Sequence, residues 1–216
     1  RLLTSTWLDG KPILTYKDAP LEDRNTIALN MFRAWYVPLY YYGIIHGDPH
    51  MGNYSIRNGS LDLNLLDFGC IRVFPPQFVG GVIELYHALM TDDRERAVGA
   101  YESWGFANLS NEVIDVLNIW ARFLYDPIMD DQIRTISTTN NGVYGREKAQ
   151  EVHKQLKTLK GNVQIPREFV FMDRAALGLG SVFIHLQAEV NWHQLFEEMI
   201  SVFSVDEMNA RQHTLL

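Results

Sequence analysis

With 216 residues, 47% of them hydrophobic, the chain can bury the core of one domain and is not a disordered segment. A formal net charge of −7 argues against a nucleic-acid partner, because phosphate binding needs a basic face. The single cysteine, Cys70, excludes an internal disulfide and a cysteine-based metal site, and it favours a reducing compartment. No unbroken run of about 18 apolar residues is present, which argues against a conventional transmembrane helix.

The first predicted elements are a strand and a long helix. Residues 2–8 have strand composition and end at the turn signal Asp9-Gly10. Asp18 is a plausible N-cap ahead of Pro20, and the segment from Leu21 to Tyr42 carries apolar residues at steps of three or four. The pattern therefore predicts an amphipathic helix that leads into the next segment.

Two loops follow this helix and carry the residues suited to catalysis. In the first, a His-x-Asp triplet ends at Asp48, and Asn53 stands five residues further on. The second loop opens with Asp67 in an Asp-Phe-Gly triplet. The residues between them alternate in hydrophobicity around Asn58-Gly59, a strong hairpin signal. A hairpin here would bring Asn53 and Asp67 close together.

The residue types of the two loops match the needs of nucleotide-bound magnesium. Magnesium prefers oxygen ligands and usually takes one or two protein groups, while phosphates and waters fill its other positions. We therefore assign Asn53 and Asp67 as metal ligands, and Asp48 as the residue that orients the attacking hydroxyl or accepts its proton. Taken alone, an Asp-x-Gly is also a common turn, and His46 is more simply a structural histidine. The full ordered pattern makes coincidence a poor explanation.

The run from His46 to Asn53, together with Leu66-Asp67-Phe68-Gly69, resembles the UbiB/AarF family of atypical kinase-like ATPases. Met51 departs from that family's usual proline. The resemblance implies an α+β, mostly α fold, the large lobe of a protein kinase, with a short β-hairpin between the catalytic and Asp-Phe-Gly loops. It also implies ATP and Mg²⁺ as cofactors. Residues with a loop-structuring role would be His46, Pro49, His50, Gly52, Phe68 and Gly69, and the hinge beside the adenine would include Thr6, Trp7 and Leu8.

The rest of the chain is predicted to be mostly helical. Ser110 is expected to cap a helix that ends at Pro127, and a loop over 129–144 precedes a charged helix over 146–160. A proline-led helix carrying Gly178-x-Gly180 gives a second resemblance to the UbiB/AarF family. We attribute its glycines to close helix packing, because the context does not fit a phosphate-binding loop. The polar residues from Ser204 onward are expected to fray.

These patterns divide the chain into a small-lobe strand and hinge (1–17), a catalytic core (18–72), a helical part (73–203) and a tail (204–216). No Val-Ala-x-Lys strand or Gly-rich loop precedes Ile44, so the small lobe is expected to be absent and the chain alone inactive or weakly active. An apolar cleft left open in this way predicts homodimerisation or aggregation.

The resemblance implies an ATP-dependent enzyme that supports ubiquinone or isoprenoid lipid biosynthesis. It would be a cytoplasmic protein whose partners are ATP, an isoprenoid or quinone lipid and a membrane surface. Two alternatives stay open. One is a small-molecule phosphotransferase of the aminoglycoside or choline kinase type, whose catalytic loop is similar. The other is a non-catalytic scaffold that binds nucleotide.

Overall fold

Helices dominate the structure, a computed structural model that describes residues 2, 4–136, 152, 154–155 and 165–215. The helices are α1 (Leu21–Tyr42), α2 (Pro76–Thr91), α3 (Arg94–Ser103), α4 (Asn111–Met129), α5 (Arg167–Leu186), α6 (Trp192–Ile200) and α7 (Val205–Leu215). The strands are β1 (Lys11–Pro12), β2 (Ile44–His46), β3 (Tyr54–Ile56), β4 (Leu63–Leu65) and β5 (Ile71–Val73). Short 3₁₀ turns cover Ile13–Tyr16 and Met51–Asn53. The mostly helical α+β class predicted from the sequence is confirmed.

The strands form two small antiparallel sheets. One has the order β1-β3-β4, and the other is a two-stranded ribbon of β2 and β5. In the first sheet Tyr54 lies opposite Leu65, so the predicted hairpin is present. The chain turns over residues 57–62, where Gly59 has φ +86°, a left-handed conformation that favours glycine. The ribbon of β2 and β5 was not predicted, because three-residue strands leave little periodicity to detect.

Helix α1 runs through the middle of the hydrophobic core, and its bounds match the prediction. Its buried face consists of Ile27, Ala28, Met31, Phe32, Trp35, Leu39 and Tyr40. The helix ends at Gly43, where φ is +68° and an added Cβ would come within 2.5 Å of the Phe74 carbonyl oxygen. Glycine is therefore required at the point where α1 turns into β2.

The strand predicted over residues 2–8 is not formed. Among the described residues of this stretch, none has a strand partner, and the side chains are exposed. Instead Lys11 and Pro12, predicted to be loop, pair with Ile56 and Ser55 of β3. Strand composition alone does not create a strand, because each strand needs a neighbour to accept its hydrogen bonds.

Two helix boundaries also differ from the prediction. Asp18 does not cap α1, since Pro20 is the N-cap and no side chain supplies a capping bond. The hydroxyl of Ser110 does cap α4, accepting from the Val113 amide at 3.4 Å. Pro127 does not end α4, which continues to Met129, because a proline in the last turn removes only one helical hydrogen bond. The predicted loop beyond residue 136 and the helix over 146–160 fall mainly outside the described residues.

By length and composition, α5 is the one helix among the described residues that could cross a membrane, although its apolar residues do not form an unbroken run. Its buried residues belong to the hydrophobic core: Ala175, Leu179, Val182, Phe183 and Leu186. The core helix of a globular domain has the same composition.

The predicted fraying tail is instead the helix α7, packed on the core. Met208 is fully buried, and the Gln212 amide donates to the carbonyl oxygens of Tyr42 and Phe74 at 2.8 and 2.9 Å. The Arg211 guanidinium lies 3.7 Å from the centre of the Tyr41 ring. The polar composition of this segment gives no sign of the docking, because Met208 is the only buried residue of the helix.

Replacing Met208 by Ala should lower the free energy of unfolding by about 2–5 kcal/mol, the usual cost of truncating a buried methionine. Asn209→Ala, on the exposed side of the same helix, should change it by less than about 0.5 kcal/mol. Urea denaturation of both variants measures the difference. Equal stabilities would mean that α7 does not dock on the core.

Candidate active site

The ribbon of β2 and β5 carries both candidate loops. The first loop leaves the end of β2 and the second leads into β5, with His46 opposite Ile71. Just beyond this pair, the Gly47 amide donates to the Cys70 carbonyl at 2.9 Å. A Cβ on Gly47 would come within 2.6 Å of that same oxygen, so a side chain there would push the loops apart. The two loops therefore begin side by side.

His46 connects the two loops through both ring nitrogens. Nε2 lies 2.6 Å from the carbonyl oxygen of Asp67, to which it donates, and Nδ1 accepts from the Asp48 amide at 3.3 Å. This pattern places the ring proton on Nε2, because a carbonyl oxygen can only accept. The histidine is buried, and its own carbonyl accepts from the indole nitrogen of Trp35 at 3.3 Å. His46 therefore fixes the backbone at both Asp48 and Asp67.

Asp48 and Asn53 are joined within the first loop. The Asn53 side-chain nitrogen donates to the backbone oxygen of Asp48 at 3.0 Å and to its carboxylate at 3.1 Å. A turn between them is stabilised by His50, whose Nδ1 accepts from the Gly52 amide at 3.1 Å. Because the amide nitrogen faces Asp48, the Asn53 side-chain oxygen is the atom suited to a cation.

Asp67 lies next to this pair through the backbone. The Leu66 amide donates to the Asn53 carbonyl at 2.8 Å. Asp67 directly follows Leu66 in the chain, so its backbone lies close to that of Asn53. Asp67 itself has φ +54°, and its carboxylate accepts from the Gly69 amide at 3.0 Å, which is the common Asp-x-Gly turn. Phe68, between them, is 61% exposed.

The donor set of these loops fits magnesium. The described residues contain no group of three or more His, Cys, Asp or Glu side chains that could hold a metal. Asp48, Asp67 and the Asn53 amide provide two carboxylates and one neutral oxygen donor. Magnesium shared with a nucleotide needs no more protein ligands than this, because phosphates and waters complete its shell. The two residues assigned as ligands, Asp67 and Asn53, supply one carboxylate and one neutral oxygen, a set that favours phosphate-bound magnesium over a permanent metal centre.

Helix α5 packs against the first loop at Pro49. An added Cβ on Gly178 would come within 2.6 Å of the Pro49 ring, whereas one on Gly180 would meet nothing within 4 Å. Close packing thus explains the first glycine of the pair, as the sequence indicated, but not the second. Pro49 is buried in this contact, while Asp48 beside it is exposed.

Tyr54 lies beneath the site and was not singled out from the sequence. Its ring centre is 5.8 Å from that of His46, and its buried hydroxyl has no hydrogen-bond partner among the described residues. Burial raises the pKa of this hydroxyl well above its ordinary value, and the negative charge of Asp48 raises it further. The hydroxyl therefore stays protonated at neutral pH, so it can donate a hydrogen bond but cannot act as a base.

The predicted hinge residues stand apart from the loops. Thr6, Trp7 and Leu8 are exposed and have no regular structure, and Trp7 is 87% exposed. The chain first attaches after them, where the Asp9 carbonyl accepts from the side chain of Asn64 at 3.0 Å. No hydrogen bond among the described residues ties the three hinge residues to either loop. Their assignment to the adenine stays a prediction.

Comparison with known proteins identifies similar chains. The model of the ABC1 atypical kinase-like domain matches residues 1–101. Over 94 residues the chain is 30% identical to atypical kinase COQ8B, mitochondrial, of Danio rerio, covering 44% of this chain and 15% of that protein. Over 128 residues it is 32% identical to the uncharacterized protein slr0889 of Synechocystis sp., covering 53% of this chain and 31% of that protein.

Among solved structures, the fold is similar to that of Rv3197 from Mycobacterium tuberculosis, determined as a complex with erythromycin. The TM-score is 0.60 with 20% sequence identity, and the match covers 90% of this chain and 48% of that one. At this identity the likeness concerns the fold alone. The chain thus spans less than a third of the two curated relatives and about half of the solved one.

The two glycines of α5 provide a matched pair for testing the contact with the first loop. Gly178→Ala should lower the free energy of unfolding by about 1–3 kcal/mol, because the new methyl group overlaps the rigid Pro49 ring. Gly180→Ala should raise it by about 0.5–1 kcal/mol, since alanine favours the helix and nothing obstructs it. Chemical denaturation measures both. A stabilising effect of both substitutions would contradict the contact.

Proposed function

We propose that the two loops bind the phosphates of ATP with magnesium, on the premise that residues 1–101 of this chain belong to the ABC1 atypical kinase-like family. This membership confirms the UbiB/AarF resemblance. The observation that carries the proposal is the pair of hydrogen bonds made by His46. One ring holds the backbone of Asp48 and that of Asp67, at 3.3 and 2.6 Å. A shared cation needs such a fixed relation between its ligands.

Each side chain then has a distinct role. Asp67 and the oxygen of Asn53 would hold magnesium, which when bound neutralises charge on the transferred phosphate. Asp48, held by two bonds from the Asn53 nitrogen, would orient the attacking hydroxyl or water, or accept its proton. Because Asp48 is exposed, a phosphate-accepting molecule can reach its carboxylate from solvent. Preorganisation of this kind lowers the barrier without any covalent intermediate.

The proposal extends to the complete protein as an ATP-dependent enzyme of the UbiB/AarF type. After Asp67-Phe68-Gly69 the sequence has no Ala-Pro-Glu anchor, which disfavours peptide substrates. The similarity to the atypical kinase COQ8B is consistent with a role in ubiquinone or isoprenoid lipid biosynthesis, which we propose for the complete protein. A cytoplasmic location at a membrane surface stays a prediction. Trp7 and Phe68, exposed on the N-terminal stretch and the second loop, are the rings we assign to contact with a small lobe or a second copy.

In the complete protein, Asp67→Asn should reduce ATP turnover at least 100-fold, because it removes the charge opposite magnesium. The asparagine can still accept from the Gly69 amide, so the turn is retained. Chelating magnesium should produce a loss of the same size. Asp62→Asn, in the exposed turn before β4, should change turnover less than twofold.

The readout is inorganic phosphate released from ATP, with and without added amino alcohols or sugars. Equal rates for the wild type and Asp67→Asn would remove Asp67 from the mechanism. Transfer of phosphate to an added amino alcohol or sugar would favour the small-molecule phosphotransferase. ATP binding without turnover in the wild type would favour the nucleotide-binding scaffold.

A further inference from the structure

Two arginine side chains converge on one aromatic ring at the start of α5. The guanidinium carbon of Arg72, on β5, lies 4.9 Å from the centre of the Phe171 ring, and that of Arg167, the first residue of α5, lies 5.2 Å from it. The two charges of this arginine pair are therefore no farther apart than these two distances combined. They repel each other, because the screening length at physiological ionic strength is about 8 Å.

No carboxylate neutralises the arginine pair. Among the described residues, the ion pairs involve other arginines and one lysine, and Glu168, next to Arg167 in sequence, pairs with neither member. One N–H of Arg72 donates to the carbonyl oxygen of its neighbour Ile71 at 2.8 Å. Because a guanidinium has five N–H donors, most donors of the pair are available to a ligand.

The ring of Phe171 holds the two cations in place. Arg72 and Phe171 are half-buried, whereas Arg167 is exposed, so the pair is open to solvent on one side. Contact with a ring face is favourable for a guanidinium and restricts its motion. A guanidinium fixed in this way loses less conformational entropy when it binds a ligand.

The arginine pair lies beside the first loop of the candidate active site. A Cβ added to Gly47, the residue before Asp48, would come within 3.4 Å of Cγ of Arg72. On α5, Phe171 precedes Gly178 by seven residues, which is about two helical turns or roughly 10 Å. Gly178 packs on the proline that follows Asp48. Both contacts therefore lead to the neighbours of the proposed catalytic carboxylate.

We propose that the arginine pair binds a phosphate group on the molecule that accepts the phosphoryl group, a role that rests on the proposed function of the two loops. A phosphate monoester has three free oxygens and close to two negative charges at neutral pH, which match two guanidinium forks. A carboxylate offers one charge for two arginines. A nucleic acid fits less well, because the chain has a net charge of −7.

This position limits the length of the acceptor. Its hydroxyl would reach Asp48 while its phosphate lies at the arginine pair, roughly 10 Å away along α5. In the transfer, the hydroxyl oxygen bonds to the γ-phosphorus of ATP, the bond from that phosphorus to ADP breaks, and the hydroxyl proton passes to Asp48. The acceptor phosphate itself is unchanged by the reaction.

The test compares glycerol 3-phosphate with uncharged glycerol in calorimetric titrations of the complete protein. Magnesium and nucleotide are left out, so that neither loop can hold the phosphate through a metal. Glycerol 3-phosphate should bind at least tenfold more tightly than glycerol. Arg72→Gln and Arg167→Gln should each weaken its binding at least fivefold, because each removes one charge and one fork.

Arg211→Gln is the matched control. Arg211 also lies over a ring, that of Tyr41 at 3.7 Å, but its guanidinium is paired with the Glu207 carboxylate at 2.6 Å. Its replacement should change the binding of glycerol 3-phosphate less than twofold. A lipid source of the phosphate is tested by sedimentation with phosphatidylcholine vesicles that contain phosphatidic acid. Vesicle binding that both arginine variants lose, without binding of glycerol 3-phosphate, would support the site and assign its phosphate to a lipid.

Equal binding of glycerol and glycerol 3-phosphate by the wild type, with no arginine-dependent vesicle binding, would overturn the proposal. A phosphate preference that persists in both arginine variants would overturn it too, as it would place the phosphate elsewhere. Arg167→Gln should fold because Arg167 is exposed, so its result decides if Arg72→Gln does not fold. Affinity for ATP with magnesium, measured separately, should stay within twofold in Arg167→Gln; a fivefold loss would assign the arginines to ATP instead. Since the titrations contain no nucleotide, they can succeed or fail independently of ATP turnover.

Discussion

The hydrogen bonds of His46 are the constraint on which the geometry of the site depends. The ring reaches an amide two residues ahead and a carbonyl 21 residues ahead, and each nitrogen has a different partner. Because donor and acceptor sit on opposite sides of the ring, the two loops are held at a fixed separation. Trp35 then holds the histidine's own carbonyl, so the arrangement is anchored to the central helix as well as to the ribbon of β2 and β5.

Two helices, α1 and α5, support this arrangement through contacts with the first loop and its start. Helix α1 supplies Trp35, and α5 presses Gly178 against Pro49, so both flanks of the first loop rest on regular structure. Sites built on helices and strands keep their geometry better than sites held by loops alone. The exposed carboxylate of Asp48 thus stands on a rigid support, although it belongs to a loop.

Local sequence patterns predicted the elements that depend on near neighbours. The apolar stripe of α1, the hairpin around Asn58-Gly59 and the residue types of the two loops were all readable in this way. The N-terminal strand was predicted wrongly, and the β2–β5 ribbon was missed, because strand formation depends on a distant partner. The same reason applies to α7, whose docking depends on Met208 and Gln212 meeting groups far away in the chain.

For the candidate site, the sequence suggested which polar residues to consider but not what positions them. Trp35 was visible only as one member of an apolar stripe, and the packing of Gly178 on Pro49 required the fold to be known. Tyr54 directly follows Asn53, yet nothing in the pattern distinguished its hydroxyl from that of any buried tyrosine. Contacts between residues distant in sequence leave no local periodicity, and such contacts supply most of the support.

The bonds from Gln212 to the carbonyls of Tyr42 and Phe74 span 170 and 138 residues. These carbonyls flank the ribbon of β2 and β5, at the end of α1 and just after β5. During synthesis, a ribosome releases the ribbon long before it releases the glutamine that secures its base. Closing so long a stretch of chain is slow, because its conformational entropy is lost before the stabilising bonds can form. The base of the ribbon that carries the two candidate loops would therefore be secured among the last events of folding, after most of the helical core has formed.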